Sequence, residues 1–183
     1  MDNCIRAKTP LFFQDALVDD IKKITSDMRF LAPKTKELVS MEVFSQSLPI
    51  FEFSAAQDEN DDLTGSFEYE DSQMDDPILK CPWCIVKIEG GEVPGVNEWQ
   101  NIQVAICFGV FNNDLRNQGH REILNLIQKV YSRFAVEPLL DGQYTCSGDF
   151  EWAIQDEDTH PYFFGAISTS FKFAGYRREN KFL

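Results

Sequence analysis

The stretch Lys80-Cys81-Pro82-Trp83-Cys84-Ile85-Val86-Lys87-Ile88-Glu89-Gly90-Gly91 decides how the chain is read. Its Cys-Pro-Trp-Cys start has the spacing of a dithiol redox site. Such a site sits at a helix N-terminus, where the helix dipole lowers the thiol pKa. The residues that follow are β-branched at Ile85, Val86 and Ile88 and close on two glycines, a poor helix and a good strand. On a strand, residues three apart point to opposite faces with α-carbons about 10 Å apart, beyond the roughly 7 Å limit for a disulfide. The strand reading puts Cys84 with Val86 and Ile88 on one face, and Cys81 with Trp83 and Ile85 on the other. A thiol–disulfide oxidoreductase remains the alternative. A zinc site would need two more ligands, and Cys107, Cys146, His120 and His160 lack paired spacing.

Downstream, Trp99 to Phe111 alternates at Ile102, Val104, Ile106, Phe108 and Val110, which predicts a strand. Asn112-Asn113-Asp114 is the turn after it. A helix is expected from Asn117 to Ala135, with Ile123, Leu126, Ile127, Val130, Tyr131 and Phe134 as its apolar stripe. Two strands complete the chain. One runs from Gln143 to Gln155 with a break near Gly148; in the other, Phe163 to Phe173, alternate residues from Phe163 share a face.

Upstream, Thr9-Pro10 opens a helix, and Phe13, Leu17, Ile21, Ile24 and Met28 carry it to about Phe30, with Pro33 stopping it. Lys36 to Phe44 reads as one strand and Ile50-Phe51-Glu52-Phe53 as a weaker one. From Gln57 to Asp76 the composition changes: Asp58, Glu59, Asp61, Asp62, Glu68, Glu70, Asp71, Asp75 and Asp76 occur without a Lys or Arg. That stretch is expected to be a loop, arm or insertion. Its loose likeness to a calcium loop fails at Asp71, where a bidentate Glu is required, and in the lack of flanking helices.

The order of elements predicts an α+β fold: one domain over 1–183, with a mostly antiparallel sheet and helices packed on one face. The 183 residues carry a net charge of −13. They lack the basic footprint of a free-standing nucleic-acid binder. No apolar run approaches the roughly 20 residues that span a bilayer. The opening MDNCIRAKTPLFFQDALVDD does not read as a signal peptide, and five scattered Cys read as reduced thiols in a cytoplasmic protein. His120 and His160 read as solvated loop residues; Asp158 near His160 raises an acid/base pair, without a nucleophile beside it. No phosphate-binding glycine spacing is present. The residues imply neither an enzyme nor a cofactor.

The sequence from Lys80 onward resembles the tail terminator (tail completion) proteins of tailed bacteriophages. The likeness is carried by PWCIVK (82–87), IQVAICFGVFNND (102–114), HREILNLIQKV (120–130) and GDFEWAIQDEDTHPYFFGAISTSFKFAGYRREN (148–180). It covers a little over half of the chain, and the acidic stretch 57–76 departs from the pattern. The resemblance implies a virion structural protein that forms a ring, usually a hexamer, on the last ring of the tail tube. There it ends tube polymerisation and offers a joining surface to a head-completion or neck protein. A different neck or head–tail adaptor protein is the alternative within the same setting. DNA would pass through the channel. Six subunits at −13 each carry a formal charge of about −78, which repels DNA and keeps it from sticking. Its expected partners are copies of itself, the tail tube protein and the neck protein, with no membrane; its place is the virion neck, and the host cytoplasm during assembly. Contacts are expected at three places: the acidic stretch 57–76 (Asp58, Glu59, Asp61, Asp62, Glu68, Glu70), the turn from Asn112 to Asn117 (Asn112, Asn113 and Asp114), and the C-terminal segment with Tyr176, Arg177, Arg178 and Phe182.

Overall fold

The computed structural model describes residues 9–49 and 80–175. The weak strand expected at 50–53, the acidic stretch 57–76 and the C-terminal segment 176–183 lie outside the described residues. In chain order the elements are α1 (Pro10–Thr25), β1 (Phe30–Leu31), β2 (Leu38–Val39), β3 (Glu42–Ser45), β4 (Trp83–Glu92), β5 (Trp99–Phe111), α2 (His120–Val136), β6 (Leu139–Leu140), β7 (Tyr144–Ile154) and β8 (Tyr162–Ala174).

The sheet runs β2-β1-β5-β8-β7-β6, with β4 also paired to β5 and β3 paired to β4. All pairs are antiparallel except β3 with β4, which is parallel. This is the expected α+β fold with a mostly antiparallel sheet. Strand β5 is its spine, paired along its whole length to β8, from Trp99 opposite Ala174 to Phe111 opposite Tyr162.

Both helices lie on one face. From α1, Phe13, Leu17 and Ile21 are buried; from α2, Ile123, Leu126, Ile127, Val130 and Phe134. They close over Cys84 and Val86 of β4, Ile102 to Val110 of β5 in alternation, and Ile167, Phe171 and Phe173 of β8. An aromatic chain runs through this core. Phe171 lies 4.9 Å from Phe13 and 5.2 Å from Phe134 between ring centres, and Tyr144 lies 5.2 Å from Phe13 and 5.5 Å from Phe173. The helices are also tied by charge. Arg133 Nε stands 3.2 Å from Asp20 Oδ2, both side chains mostly buried, and Lys129 pairs with Asp27. No helix among the described residues is long and apolar enough to cross a membrane.

Three boundaries differ from expectation. Helix α1 ends at Thr25, not near Phe30. Thr25 Oγ1 donates to the Ile21 carbonyl at 2.8 Å, Ser26 Oγ to the Lys23 carbonyl at 2.8 Å, and Arg29 to the Ser26 carbonyl at 2.7 Å. Side chains thus take the Lys23 and Ser26 carbonyls, which another helical turn would have used. Met28 still packs against the core from the turn, so the apolar step outlasts the helix. The single strand expected at 36–44 splits at Ser40-Met41 because the segment changes partner: Leu38-Val39 bond to β1, and Glu42–Ser45 to β4. Helix α2 starts at His120, three residues late, since Asn117 holds a left-handed φ of 54°. The break expected near Gly148 is a register shift between Cys146 and Phe150, with Gly148 at φ +85°.

Candidate interaction surface

The Cys-Pro-Trp-Cys pair falls at the entry of β4, with Cys81-Pro82 just before the strand and Trp83-Cys84 inside it. Cys84 joins Val86 and the partly buried Ile88 in the helix-side core. Cys81 packs with Trp83, Phe111 and Ile85 in a smaller cluster on the opposite face. Neither thiol forms a disulfide, and both are buried. Burial pushes the Cys81 thiol up to about 12 and the Cys84 thiol well above the ordinary range. Burial is the largest influence on each thiol and disfavours a thiolate near neutral pH. Their chemistry is packing, as the strand reading expects. Cys84→Ser is expected to lower unfolding free energy by about 1–3 kcal/mol in urea titration, because the hydroxyl arrives in an apolar core without a partner.

On that opposite face, Trp83 lies flat across Gly109 of β5, where a Cβ would run into the indole. Its ring centre is 5.8 Å from Phe164 of β8. Farther along the same face stand the small residues Ala105, Ala153, Ala166 and Ser168.

The turn after β5 is the one predicted contact region among the described residues. Asn112 proves to be a builder of the turn. Its amide nitrogen donates to Glu122 Oε1 at 2.6 Å, and its Oδ1 accepts from the Asp114 N–H at 2.9 Å. Burial raises the Glu122 carboxyl while that hydrogen bond draws it down. Asn113 and Asp114 are exposed. Asp114 Oδ1 accepts from the Arg116 N–H at 3.1 Å, which leaves Leu115 at the tip, 97% exposed. Leu115 lies within the expected contact turn 112–117, although only its polar residues Asn112, Asn113 and Asp114 stand out in the sequence.

His120 and His160 come to the same end of the molecule, and the His160 side chain does not form the suspected acid/base pair with Asp158. Asp158 Oδ1 instead accepts from the His160 backbone N–H at 3.3 Å and from Asn117 Nδ2 at 3.4 Å, holding the loop in shape. Solvent reaches a hollow of about 270 Å³ there, rimmed by Asn117, His120, Asp156, Glu157 and Thr159.

A large exposed aromatic side chain lies at the far edge of the sheet. Strand β6 pairs with β7 only at Tyr144 and Thr145. Beyond the register shift, Phe150 to Ile154 bond to β8 on one side and, among the described residues, to no strand on the other. Trp152 is directly opposite Ile167, hence on the helix side, yet α2 does not reach over it and it is 58% exposed. Tyr131 of α2 was expected in the buried stripe. It lies on the flank, 45% exposed, edge-on to Phe150 with ring centres 5.3 Å apart. Ile127, Gln128, Tyr131, Phe150, Trp152 and Ile167 line a groove of about 180 Å³ between α2 and this edge. The alternation Phe150, Trp152, Ile154 was visible in the sequence; the outer position of β7 was not, and that position is what exposes the tryptophan. Compared with family models and with curated proteins, the sequence matches no family model and no curated protein.

Proposed function

We propose that the chain is a structural assembly protein rather than an enzyme, and that it works as a closed ring capping a bacteriophage tail tube. In this role it ends tube growth and presents a joining surface to the neck protein, with the virion neck as its final place and the host cytoplasm as its place of assembly. The observation that carries the reading is the outer edge of β7, a stretch of strand with exposed Trp152 beside it. A closed ring needs two different surfaces per subunit that meet head to tail, and an open strand edge is a ready half of such a contact. The pattern resemblance from Lys80 to Asn180 supplies the setting. The acidic balance supports a channel through which DNA passes without adhering.

The test is microscopy of the purified protein and of virion necks, with a mass measurement in parallel. Annular particles with a mass near six times 21.1 kDa are expected. Loss of the gene is expected to give overlong or unjoined tails; heads lacking a joining surface would point to an adaptor instead. A chain that stays monomeric and never associates with tail tubes would sink the proposal.

A further inference from the structure

The geometry points to an occupant for the edge of β7: the segment Tyr176-Arg177-Arg178-Glu179-Asn180-Lys181-Phe182-Leu183 of a second copy of this chain, added as a strand beside Phe150–Ile154. This deepens the proposed function and rests on its self-association, since it names the two surfaces that meet.

Four observations converge. The backbone of Phe150–Ile154 is paired on one side only among the described residues, so its outward N–H and C=O groups are free to bond an incoming strand. Edge strands are commonly guarded by Lys, Pro or a covering element. Here the sequence is Phe-Glu-Trp-Ala-Ile, with Glu151, Trp152 and Ala153 all exposed. Beside the edge lies the groove under Tyr131, Phe150 and Trp152, a seat for an aromatic or branched side chain on an added strand.

Charge selects the partner. Asp149, Glu151, Asp156, Glu157 and Asp158 lie on this edge and the loop after it, and no Lys or Arg occurs between positions 149 and 158. In a chain of net charge −13, the segment 176–183 is the converse: Arg177, Arg178 and Lys181 against Glu179 alone, interleaved with Tyr176, Phe182 and Leu183. Cations and apolar side chains within one octapeptide match an acidic strand edge with an aromatic groove.

Reach excludes the chain's own segment. Strand β8 ends at Ala174, and its Thr169 is the residue opposite Phe150. Residues 176–183 would have to travel back about 17 Å along β8 and about 10 Å sideways across two strand spacings before meeting Phe150. That uses about six residues at roughly 3.3 Å each, and leaves too few to pair. The segment that fills the edge therefore comes from another copy. The contact is head to tail, donor end to acceptor edge, the type that closes into rings.

The test uses the full chain. Arg177→Glu with Arg178→Glu, and separately Asp149→Arg with Glu151→Arg, are each expected to weaken self-association at least tenfold by sedimentation. The chain carrying all four changes is expected to regain it, because the charges again match. Asp149 and Glu151 are exposed; circular dichroism and melting of each variant are expected to remain those of the parent. A photoreactive benzophenone side chain in place of Trp152, in a mixture with isotope-labelled copies, is expected to cross-link to residues 176–183 of the labelled chain. Cross-links that map elsewhere, or within one copy, overturn the inference. So does a four-change chain that associates no better than either pair of changes. Annular particles that persist with the reversed tail would overturn it while leaving the ring itself standing. Cross-links to 176–183 without annular particles would uphold it and remove the ring.

Discussion

Phe171→Ala is expected to lower the unfolding free energy by about 3–5 kcal/mol, the range for emptying a buried aromatic site. Phe171 is fully buried on β8 and touches one aromatic from each helix, Phe13 of α1 and Phe134 of α2. Removing its ring takes a shared partner from both helices at once, and the backbone of β8 is held on both sides by β5 and β7, so the site cannot collapse to fill the void. Domains of this size are stable by about 5–15 kcal/mol. The loss should show as a melting temperature lower by about 10 °C and a clear shift in urea midpoint. Trp152→Ala is the natural comparison. An aromatic is again lost from a strand, but an exposed one, and the change in stability should be within about 0.5 kcal/mol. Equal losses at the two positions would mean that the helix-side core is not where the fold's stability resides.

Arg133→Ala is expected to cost about 1–3 kcal/mol. The guanidinium faces Asp20 across the helix pair with only 19% and 15% of the two side chains exposed. It also donates to the Glu137 carbonyl at the end of α2. Truncation strands the Asp20 carboxylate in a mostly apolar cleft and uncaps the helix. Breaking a fully buried pair costs about 3–5 kcal/mol, and the remaining exposure here reduces that. Replacing both partners, as Asp20→Leu with Arg133→Met, should recover most of the loss, since desolvation disappears with the charges. Urea titrations of the single and double variants form the cycle that checks this. A double variant no more stable than Arg133→Ala would mean that the pair does not act as a unit.

Where the sequence was legible, a single physical rule governed the segment. In β5 every second residue from Ile102 to Val110 is buried, as period-two alternation requires. The placement of Cys81 and Cys84 on opposite faces followed from the same period. The stripe of α2 was read correctly except at Tyr131, because burial there is decided by the distance to β7 and not by helical phase. The end of α1 was misplaced since Met28 keeps the core rhythm from within a turn. The split at Ser40-Met41 had no local signature; it arises from a change of strand partner. The exposed edge of β7 is of the same kind. Strand order is a property of the whole sheet, and no window of residues around Trp152 contains it.

The parallel pairing of β3 with β4 has a consequence for chain wiring. Two neighbours that run the same way cannot be joined by a hairpin: the chain leaving Ser45 must return to the opposite end of the sheet before it enters Trp83. Such a return takes roughly a dozen residues. Excision of 57–76 would leave 46–56 and 77–82 to make the trip, which is sufficient. By length alone, then, a chain without 57–76 can still thread β3 and β4 in parallel.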